Sequence, residues 1–334
     1  MRNGEGLIIG VDLGGTKIHA AAVSETGEIV GDARCKTQPE DGADRVIERI
    51  SELTRAIAQK QGGAPIEAIC VGVPGDVDDE HGMVDEAPNL GWRDVPLAAK
   101  LGALTGGARV FLDNDVRVAV LGEHAHGAGR GARGMIGVWV GTGIGGGLVL
   151  DGELWRGGRG AAGEFGHMTL NPKGPRCSCG RRGHAEAYAS RTAIEREVRK
   201  RIDRGEKSKV EKILKKEKRD RLTSSVVAEA LADGDEVMTN VFRRAQRWLG
   251  VLCANLVNAL DPEVVAIGGG LAERLGEEMV GRIREVAYRG FILERDRERV
   301  KIVATTLKDA AAPLGAAWVA RRRLTPPLPH ARVR

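Results

Sequence analysis

Two glycine-rich segments, each placed between two short apolar runs, constrain the fold of this chain more than any other feature. The first covers residues 10–17 and the second covers residues 141–147. The flanking apolar runs are 7–11, 18–23, 135–140 and 148–150. Short apolar runs bounded by turn residues predict strands, so each segment is predicted to be the turn of a β-hairpin. Because this arrangement occurs twice, we expect two related α/β lobes that face each other.

Helix and strand patterns alternate along the rest of the chain. Helices are predicted over 43–61, 97–105, from 116, and over 186–204, 225–232, 236–260 and 310–322, and strands over 68–73, 110–112, 264–267 and 300–304. Such alternation is typical of the α/β class. We expect an N-terminal α/β lobe over 1–123, completed by the C-terminal helix at 309–323, and a C-terminal α/β lobe over 124–308. Residues 324–334 are expected to form a flexible tail.

Composition indicates a globular protein of a reducing compartment. No stretch of the 334 residues approaches the roughly eighteen consecutive apolar residues of a membrane helix. Five cysteines do not form a disulfide-like pattern, so a cytoplasmic location is expected. The net charge of +5 could suit nucleic acid, but the cations of 199–221 are mixed with acids and aromatic residues make up 3%. We expect no nucleic-acid partner and no membrane partner.

Neither glycine segment satisfies a standard nucleotide-binding motif. Gly141, Gly143 and Gly146 have the spacing of the dinucleotide fingerprint, but that fingerprint must open a helix, and here a strand follows. The first segment resembles a P-loop, yet Lys17 follows Thr16 where the motif needs Gly-Lys-Ser/Thr, and a hairpin surrounds it. A Rossmann site and a Walker A site are therefore not expected.

Both turns can nevertheless bind phosphate. Backbone amides in tight glycine turns form anion-binding concavities, and neighbouring hydroxyl or ammonium groups add donors. A third glycine run lies between a strand and a helix, where its amides can approach a nucleotide closely. The candidate nucleotide-binding residues are Gly14, Gly15, Thr16 and Lys17, then Gly141, Thr142 and Gly143, and finally Gly268, Gly269 and Gly270. We predict a nucleotide held between the two lobes.

A short segment ending at Glu186 has the composition of a metal site. Cys177 and Cys179 stand one residue apart, with His167 before them and His184 after them. Two thiolates and two imidazoles supply the tetrahedral ligands that Zn²⁺ prefers. Four protein ligands leave no open position, so the zinc is expected to be structural. The alternative is an ordinary surface loop with two incidental cysteines.

Three separated motifs together resemble the ROK family of sugar kinases and sugar-responsive repressors. They are Gly-Val-Asp-Leu-Gly-Gly-Thr-Lys at 10–17, Gly-Thr-Gly-Ile-Gly-Gly-Gly at 141–147, and Gly-Glu-Phe-Gly-His with Cys-x-Cys-Gly-Arg-Arg-Gly within 163–183. The resemblance covers about residues 7–320. It implies a two-lobed actin-like ATPase fold, of the ribonuclease H-like type, with a central cleft. It also implies a homodimer or homotetramer.

The resemblance implies roles for single residues. Asp115 matches the catalytic base that accepts the proton of a sugar hydroxyl as this hydroxyl attacks the γ-phosphate of ATP. Asp12 matches the acidic residue that holds Mg²⁺, and His167 matches an imidazole that contacts both zinc and sugar. The positions that match sugar contacts are Gly75, Asn89, Asn114, Asp115, Glu164, His167 and Glu186. Taken alone, Asp115 could also be a helix N-cap, and Asp12, Gly75 and Asn89 could be ordinary turn residues.

Two residues depart from the usual family pattern. His184 stands where the last metal ligand is commonly Cys, and because imidazole also binds zinc, a Cys₂His₂ site is expected. Arg117 stands where Asn is common, two residues after Asp115. Its side chain either changes the charge of the cleft or points to solvent.

The segment Cys-x-Cys-Gly-Arg-Arg-Gly, with Glu186, is most similar to the glucokinase branch of the family. This resemblance implies phosphorylation of the 6-hydroxyl of glucose by ATP, with Asp115 as base. Fructose, mannose, N-acetylmannosamine and N-acetylglucosamine remain open as substrates, and polyphosphate remains open as donor. Family repressors carry a helix-turn-helix domain ahead of the first phosphate loop, and six residues precede Leu7, so we expect no repressor. A sugar-binding protein without catalysis is the other alternative.

Overall fold

The computed structural model describes residues 6–324, which divide into two compact units. The first unit takes the described residues up to Arg130 and those from Asp309, and the second takes Gly131–Lys308. The first unit contains β1 (Leu7–Leu13), β2 (Lys17–Val23), β3 (Ile29–Lys36), α1 (Ala43–Lys60), β4 (Ile66–Val73), β5 (Asp76–Asp78), β6 (Met83–Ala87), β7 (Trp92–Val95), α2 (Leu97–Leu104), β8 (Arg109–Asn114) and α3 (Asp115–His126). Of the tail expected over 324–334, Leu324 instead ends the last helix, and residues 325–334 lie outside the described residues.

The second unit contains β9 (Met135–Val140), β10 (Ile144–Leu150), β11 (Glu153–Leu154), α4 (Glu186–Ala189), α5 (Arg191–Ile202), α6 (Val210–Glu217), α7 (Ser224–Ala232), α8 (Glu236–Leu260), β12 (Val264–Gly268), α9 (Gly270–Leu275), α10 (Glu277–Arg289), α11 (Asp296–Arg299) and β13 (Lys301–Ala304). The last helix, α12 (Ala311–Leu324), returns to the first unit. None of the described helices is long and apolar enough to cross a membrane.

The two units repeat one sheet topology. In the first unit the strand order is β3-β2-β1-β4-β8, and in the second it is β11-β10-β9-β12-β13. In both, the first three strands pair antiparallel and the last three pair parallel. A small antiparallel sheet, β5-β6-β7, belongs to the first unit. The hairpins predicted from the two glycine segments are therefore present, and the α/β class is confirmed.

The C-terminal helix α12 packs against the first sheet and α3 through glycine contacts. A Cβ added at Gly10 would lie 1.8 Å from the carbonyl oxygen of Pro313, and one at Gly122 would lie 2.0 Å from that of Ala311. A side chain at either position would force the helix away, because core atoms are already close-packed. This backbone contact holds β1, α3 and α12 together in one unit.

The second hairpin turn is shorter than predicted. We expected a turn over residues 141–147, but β10 begins at Ile144, and Gly145, Gly146 and Gly147 pair with β9. A Cβ on Gly146 would lie 2.2 Å from the ring of Phe165. Glycine in a strand often marks such a close approach of another segment, and here it does not mark a turn.

The predicted helix over 186–204 is in fact two helices. Ser190 adopts an extended conformation and its side chain accepts a hydrogen bond from the Ala193 amide, so it ends α4 and caps α5. The elements that the sequence patterns did not reveal are β3, β5, β6, β7, β11, α6, α10 and α11.

Candidate functional site

The first unit gathers several predicted site residues at one edge of its sheet. Strands β1, β4 and β8 run parallel, with Asp12 paired to Gly72 and Val73 paired to Asn114. The carboxyl ends of parallel strands therefore place Asp12, Asn114 and the following Asp115 at the same edge. This edge is where ligands of open α/β sheets commonly bind.

Asn114, and not Asp115, is the N-cap of α3. Its side-chain oxygen accepts hydrogen bonds from the amides of Val116 and Arg117 at 3.0 and 3.2 Å. Its side-chain nitrogen donates to the carbonyl oxygen of Gly75 at 3.2 Å. The alternative that Asp115 serves as the cap is therefore wrong, and its carboxylate is left for another role.

The carboxyl group of Asp115 has an unusual acidity. Burial, reinforced by the negative charge of Asp12, raises its pKa from 3.8 to about 7. The amide of Val116 donates to its Oδ1 at 2.8 Å, which partly opposes this shift. A carboxylate whose pKa lies near neutral pH is well suited to accept a proton during a reaction.

The first glycine turn is held by residues outside the predicted motif. The buried Thr37 donates its hydroxyl proton to the Gly14 carbonyl oxygen at 2.6 Å, and its amide donates to the Thr16 carbonyl oxygen at 3.1 Å. A Cβ on Gly15 would lie 3.5 Å from the carbonyl oxygen of Asn89, so the turn lies beside that predicted sugar contact. Sequence reasoning missed Thr37, because this residue reaches the turn only when β3 pairs with β2.

Lys17 already has an anionic partner in the structure. Its ammonium lies 2.8 Å from the carboxylate of Asp309, and both side chains are about half exposed. The hydrogen bond that Lys17 donates, together with its positive charge, lowers the pKa of the Asp309 carboxyl group. The predicted role of Lys17 at a phosphate would require it to leave or share this partner.

Arg117 does not point to solvent. Its side chain is buried, and its Nε donates to the fully buried carboxylate of Asp113 at 2.7 Å. Of the two alternatives left open for Arg117, a side chain that points to solvent is therefore wrong. Buried carboxylates need such a partner, because an unpaired buried charge is strongly destabilising.

The second unit brings two predicted nucleotide-binding segments to one sheet edge. The turn Gly141–Gly143 follows β9, and Gly268–Gly270 ends the neighbouring parallel strand β12 and opens α9. Gly269 has φ 88°, and a Cβ there would lie 2.5 Å from the carbonyl oxygen of Val140. Only glycine permits this backbone geometry and this close approach.

Glu186 connects the glycine turn with the cysteine segment. Its carboxylate accepts hydrogen bonds from the Ile144 amide at 3.0 Å and from the Ser178 hydroxyl at 2.8 Å. A Cβ on Gly143 would lie 2.4 Å from the same carboxylate. Glu186, predicted as a sugar contact, is thus fixed in position by two separate segments.

Two residues of α5 contact the same turn and were missed by sequence reasoning. Arg191 donates from its amide to the Gly141 carbonyl oxygen at 2.9 Å and from its guanidinium to the Thr142 hydroxyl oxygen at 2.7 Å. The hydroxyl of Thr192 donates to the Thr142 carbonyl oxygen at 2.8 Å. The sequence signal was the Ser190-Arg191-Thr192 run at a helix start, but the turn it contacts lies about fifty residues earlier in the chain.

The four predicted metal ligands converge on one point. Their ligand atoms all lie within 4.8 Å of one another. The Nδ1 atoms of His167 and His184 are 3.3 Å apart, Cys179 Sγ is 3.3 Å from His184 Nδ1, and Cys177 Sγ is 3.7 Å from His167 Nδ1. A tetrahedral zinc site has edges of about 3.3 Å between nitrogens and about 3.6 Å between nitrogen and sulfur. The residues therefore fit a Zn²⁺ ion.

His167 presents its second nitrogen away from this cluster. Its Nε2 lies 3.9 Å from the carboxylate of Glu164, and the side chains are about one third and two thirds exposed. If Nδ1 binds a metal, Nε2 carries the ring proton and can donate a hydrogen bond. A donor and an acceptor side by side suit recognition of a hydroxyl group.

Residues 8–323 match the ROK family. Over 95% of the chain and 98% of the relative, the sequence is 38% identical to the glucokinase of Thermotoga maritima. It is also 33% identical to the xylose repressor of Caldicellulosiruptor bescii, over 93% of the chain and 77% of that protein. A crystal structure described as a ROK family glucokinase from Streptomyces griseus in complex with glucose and AMPPNP has a TM-score of 0.80 and 35% identity, covering 95% of the chain and 100% of that structure.

These similarities extend over both units, which share the same sheet topology. The chain belongs to the ROK family. The actin-like ATPase fold that the sequence resemblance implied is confirmed.

Proposed function

We propose that this protein is an ATP-dependent kinase that transfers the γ-phosphate of ATP to the 6-hydroxyl of glucose. The similarity to glucokinases along nearly the whole chain supports this proposal. The observation that carries it is Asp115, a carboxyl group with a pKa of about 7 at the carboxyl end of β8, which capping by Asn114 leaves available. A sugar-binding protein without catalysis would not need such a group.

In the proposed reaction, Asp115 accepts the proton of the sugar hydroxyl as the oxygen attacks the γ-phosphorus. The bond from oxygen to phosphorus forms, the bond to the leaving oxygen of ADP breaks, and the proton ends on the Asp115 carboxylate. Most of the acceleration in such transfers comes from alignment and charge neutralisation. The turns at Gly14–Lys17 and Gly141–Gly143 and the run Gly268–Gly270 supply backbone donors for phosphate oxygens, and Asp12 is the residue that would hold Mg²⁺ through water.

The residues that recognise sugar hydroxyls in this proposal are Gly75, Asn89, Asn114, Glu164, His167 and Glu186. A carboxylate accepts hydrogen bonds and donates none, so Glu186 favours hydroxyl donors. Buried polar groups left unpaired by a wrong sugar would then give selectivity.

The activity is tested by coupled detection of ADP with Mg²⁺-ATP and a panel of glucose, mannose, fructose, N-acetylglucosamine and N-acetylmannosamine. Glucose should give the highest kcat/KM. Asp115→Asn should lower kcat by at least about a hundredfold while glucose binding, measured by calorimetry, changes little. Asp44→Asn, which alters an exposed carboxylate paired with Lys100, is the matched control. Equal turnover by Asp115→Asn and wild type would remove Asp115 from its role.

The phosphoryl donor and a regulatory role are decided by two further measurements. Replacing ATP by polyphosphate, with glucose 6-phosphate as the detected product because no ADP forms, tests the alternative donor. The similarity to a xylose repressor is the observation that favours a regulator, and sequence-specific DNA binding at physiological salt would support it. Turnover of glucose together with salt-sensitive, non-specific DNA binding would support the kinase.

We further propose that Cys177, Cys179, His167 and His184 hold one structural Zn²⁺ per chain. The bound ion would fix the imidazole of His167 so that its Nε2 faces the sugar. Metal analysis of purified protein should give about one zinc per chain, and Cys179→Ala should lose the ion together with thermal stability. Protein that is folded and active but free of zinc would refute this assignment.

A homodimer or homotetramer, proposed from the family resemblance, is tested by sedimentation.

A further inference from the structure

Arg191 makes a contact whose chemistry the proposed mechanism does not use. It is the first residue of α5, and its guanidinium donates to the Thr142 hydroxyl oxygen at 2.7 Å. Thr142 is exposed at the tip of the turn, which is closed by a hydrogen bond from the Gly141 amide to the Gly143 carbonyl oxygen at 2.9 Å. The contact therefore acts on the side chain at the centre of a predicted phosphate-binding turn.

The direction of this hydrogen bond determines what the hydroxyl can do next. A guanidinium can only donate, so the Thr142 oxygen must be the acceptor. The hydroxyl proton is then free to point to another acceptor. Phosphate oxygens of a nucleotide are acceptors of this kind, and a hydroxyl polarised by a cation is a stronger donor to them.

The acidic neighbour of Arg191 on its own helix is already paired with two other cations. The carboxylate of Glu195, one helical turn further along α5, lies 2.9 Å from Arg199 and 3.1 Å from Arg221. One carboxylate is thus shared among the cations of this cluster. Arg191 remains protonated at neutral pH, as arginine does in proteins.

We propose that Arg191 is a positioning residue for the phosphoryl donor, which orients the Thr142 hydroxyl as a hydrogen-bond donor to a phosphate oxygen of the nucleotide. The inference rests on the proposed kinase function and adds a residue to it. It predicts an effect on the donor and on kcat, with the sugar site unaffected.

The test is a double-mutant cycle with Arg191→Met, Thr142→Ala and the combined variant. Arg191→Met should lower kcat/KM for ATP about tenfold, as expected for loss of one hydrogen bond to a charged group, while KM for glucose changes less than about twofold. In the Thr142→Ala background, the same substitution should cost less than about threefold. Arg191→Lys should restore part of the loss. Lys200→Met, which removes an exposed cation from the same helix, is the control.

Dissociation constants for AMPPNP, measured by calorimetry on the same proteins, give a second readout that does not need turnover. If Arg191→Met weakens AMPPNP binding equally in wild type and in the Thr142→Ala background, the inference is overturned, because Arg191 then acts independently of Thr142. A parallel rise in KM for glucose would overturn it too. If wild type phosphorylates no sugar, the proposed function fails, and the cycle of AMPPNP constants alone decides the role of Arg191.

Discussion

The raised pKa of Asp115 predicts that removing its charge stabilises the protein. An aspartate in the unfolded chain ionises near pH 4, whereas in the folded chain Asp115 ionises only near pH 7. Between these values the folded state binds one proton more than the unfolded state. The free energy of unfolding therefore falls by about 1.4 kcal/mol for each pH unit through this window and is level above it.

The size of the effect follows from the same shift. A rise in pKa from 3.8 to about 7 corresponds to about 4 kcal/mol of lost stability at alkaline pH, and partial exposure to solvent reduces this to about 2–4 kcal/mol. Asp115→Asn is neutral at every pH and keeps the side-chain oxygen that accepts from Val116. The free energy of unfolding of Asp115→Asn, relative to that of wild type, should therefore rise by about 2 kcal/mol between about pH 5.5 and about pH 8.5.

Urea unfolding of both proteins at the two pH values, without nucleotide or added Mg²⁺, measures this difference. Asp44→Asn should differ from wild type by less than about 0.5 kcal/mol at both values, because its carboxylate is exposed. A difference between Asp115→Asn and wild type that is the same at both pH values would refute the reasoning. Asp115 would then ionise as an ordinary exposed carboxylate does.

Three further substitutions test the geometry of the site. Arg117→Met should lower the free energy of unfolding by about 3–5 kcal/mol in urea titrations, because it removes the guanidinium that donates to the buried carboxylate of Asp113. Gly143→Ala should raise KM for glucose about three- to tenfold with little change in melting temperature, because its Cβ displaces the carboxylate of Glu186 from its hydrogen bond with the Ile144 amide. Ser190→Ala should cost about 1 kcal/mol of stability through loss of the α5 cap, and an unchanged urea midpoint would contradict the capping role.

Much of the secondary structure could be predicted because it depends on local patterns. The bounds of β9 and α8 agree with the periodicity, and those of α1 differ by one residue. Errors occurred where a distant contact decided the local structure. The glycines of β10 belong to a strand because Phe165 packs on Gly146, and nothing near them in sequence indicates this.

The candidate metal site was accessible to sequence reasoning for a related reason. Its ligands lie within one segment of eighteen residues, His167 to His184, and the types Cys and His already limit the chemistry. Tight turns bring such residues together locally. The structure adds the convergence of their ligand atoms, which a sequence cannot show.

The sequence by itself determined the repeated hairpins, the family and the residue types available for phosphate, sugar and metal. Only the tertiary structure decided the partners of the site residues. Asn114 caps α3, and the buried Arg117 pairs with Asp113. The carboxylate of Glu186 accepts from the Ile144 amide, and Arg191 donates to the Thr142 hydroxyl oxygen. Residue type and spacing control conformation over a few positions, whereas pKa, burial and hydrogen-bond partners depend on which distant segments the sheet brings to the same edge.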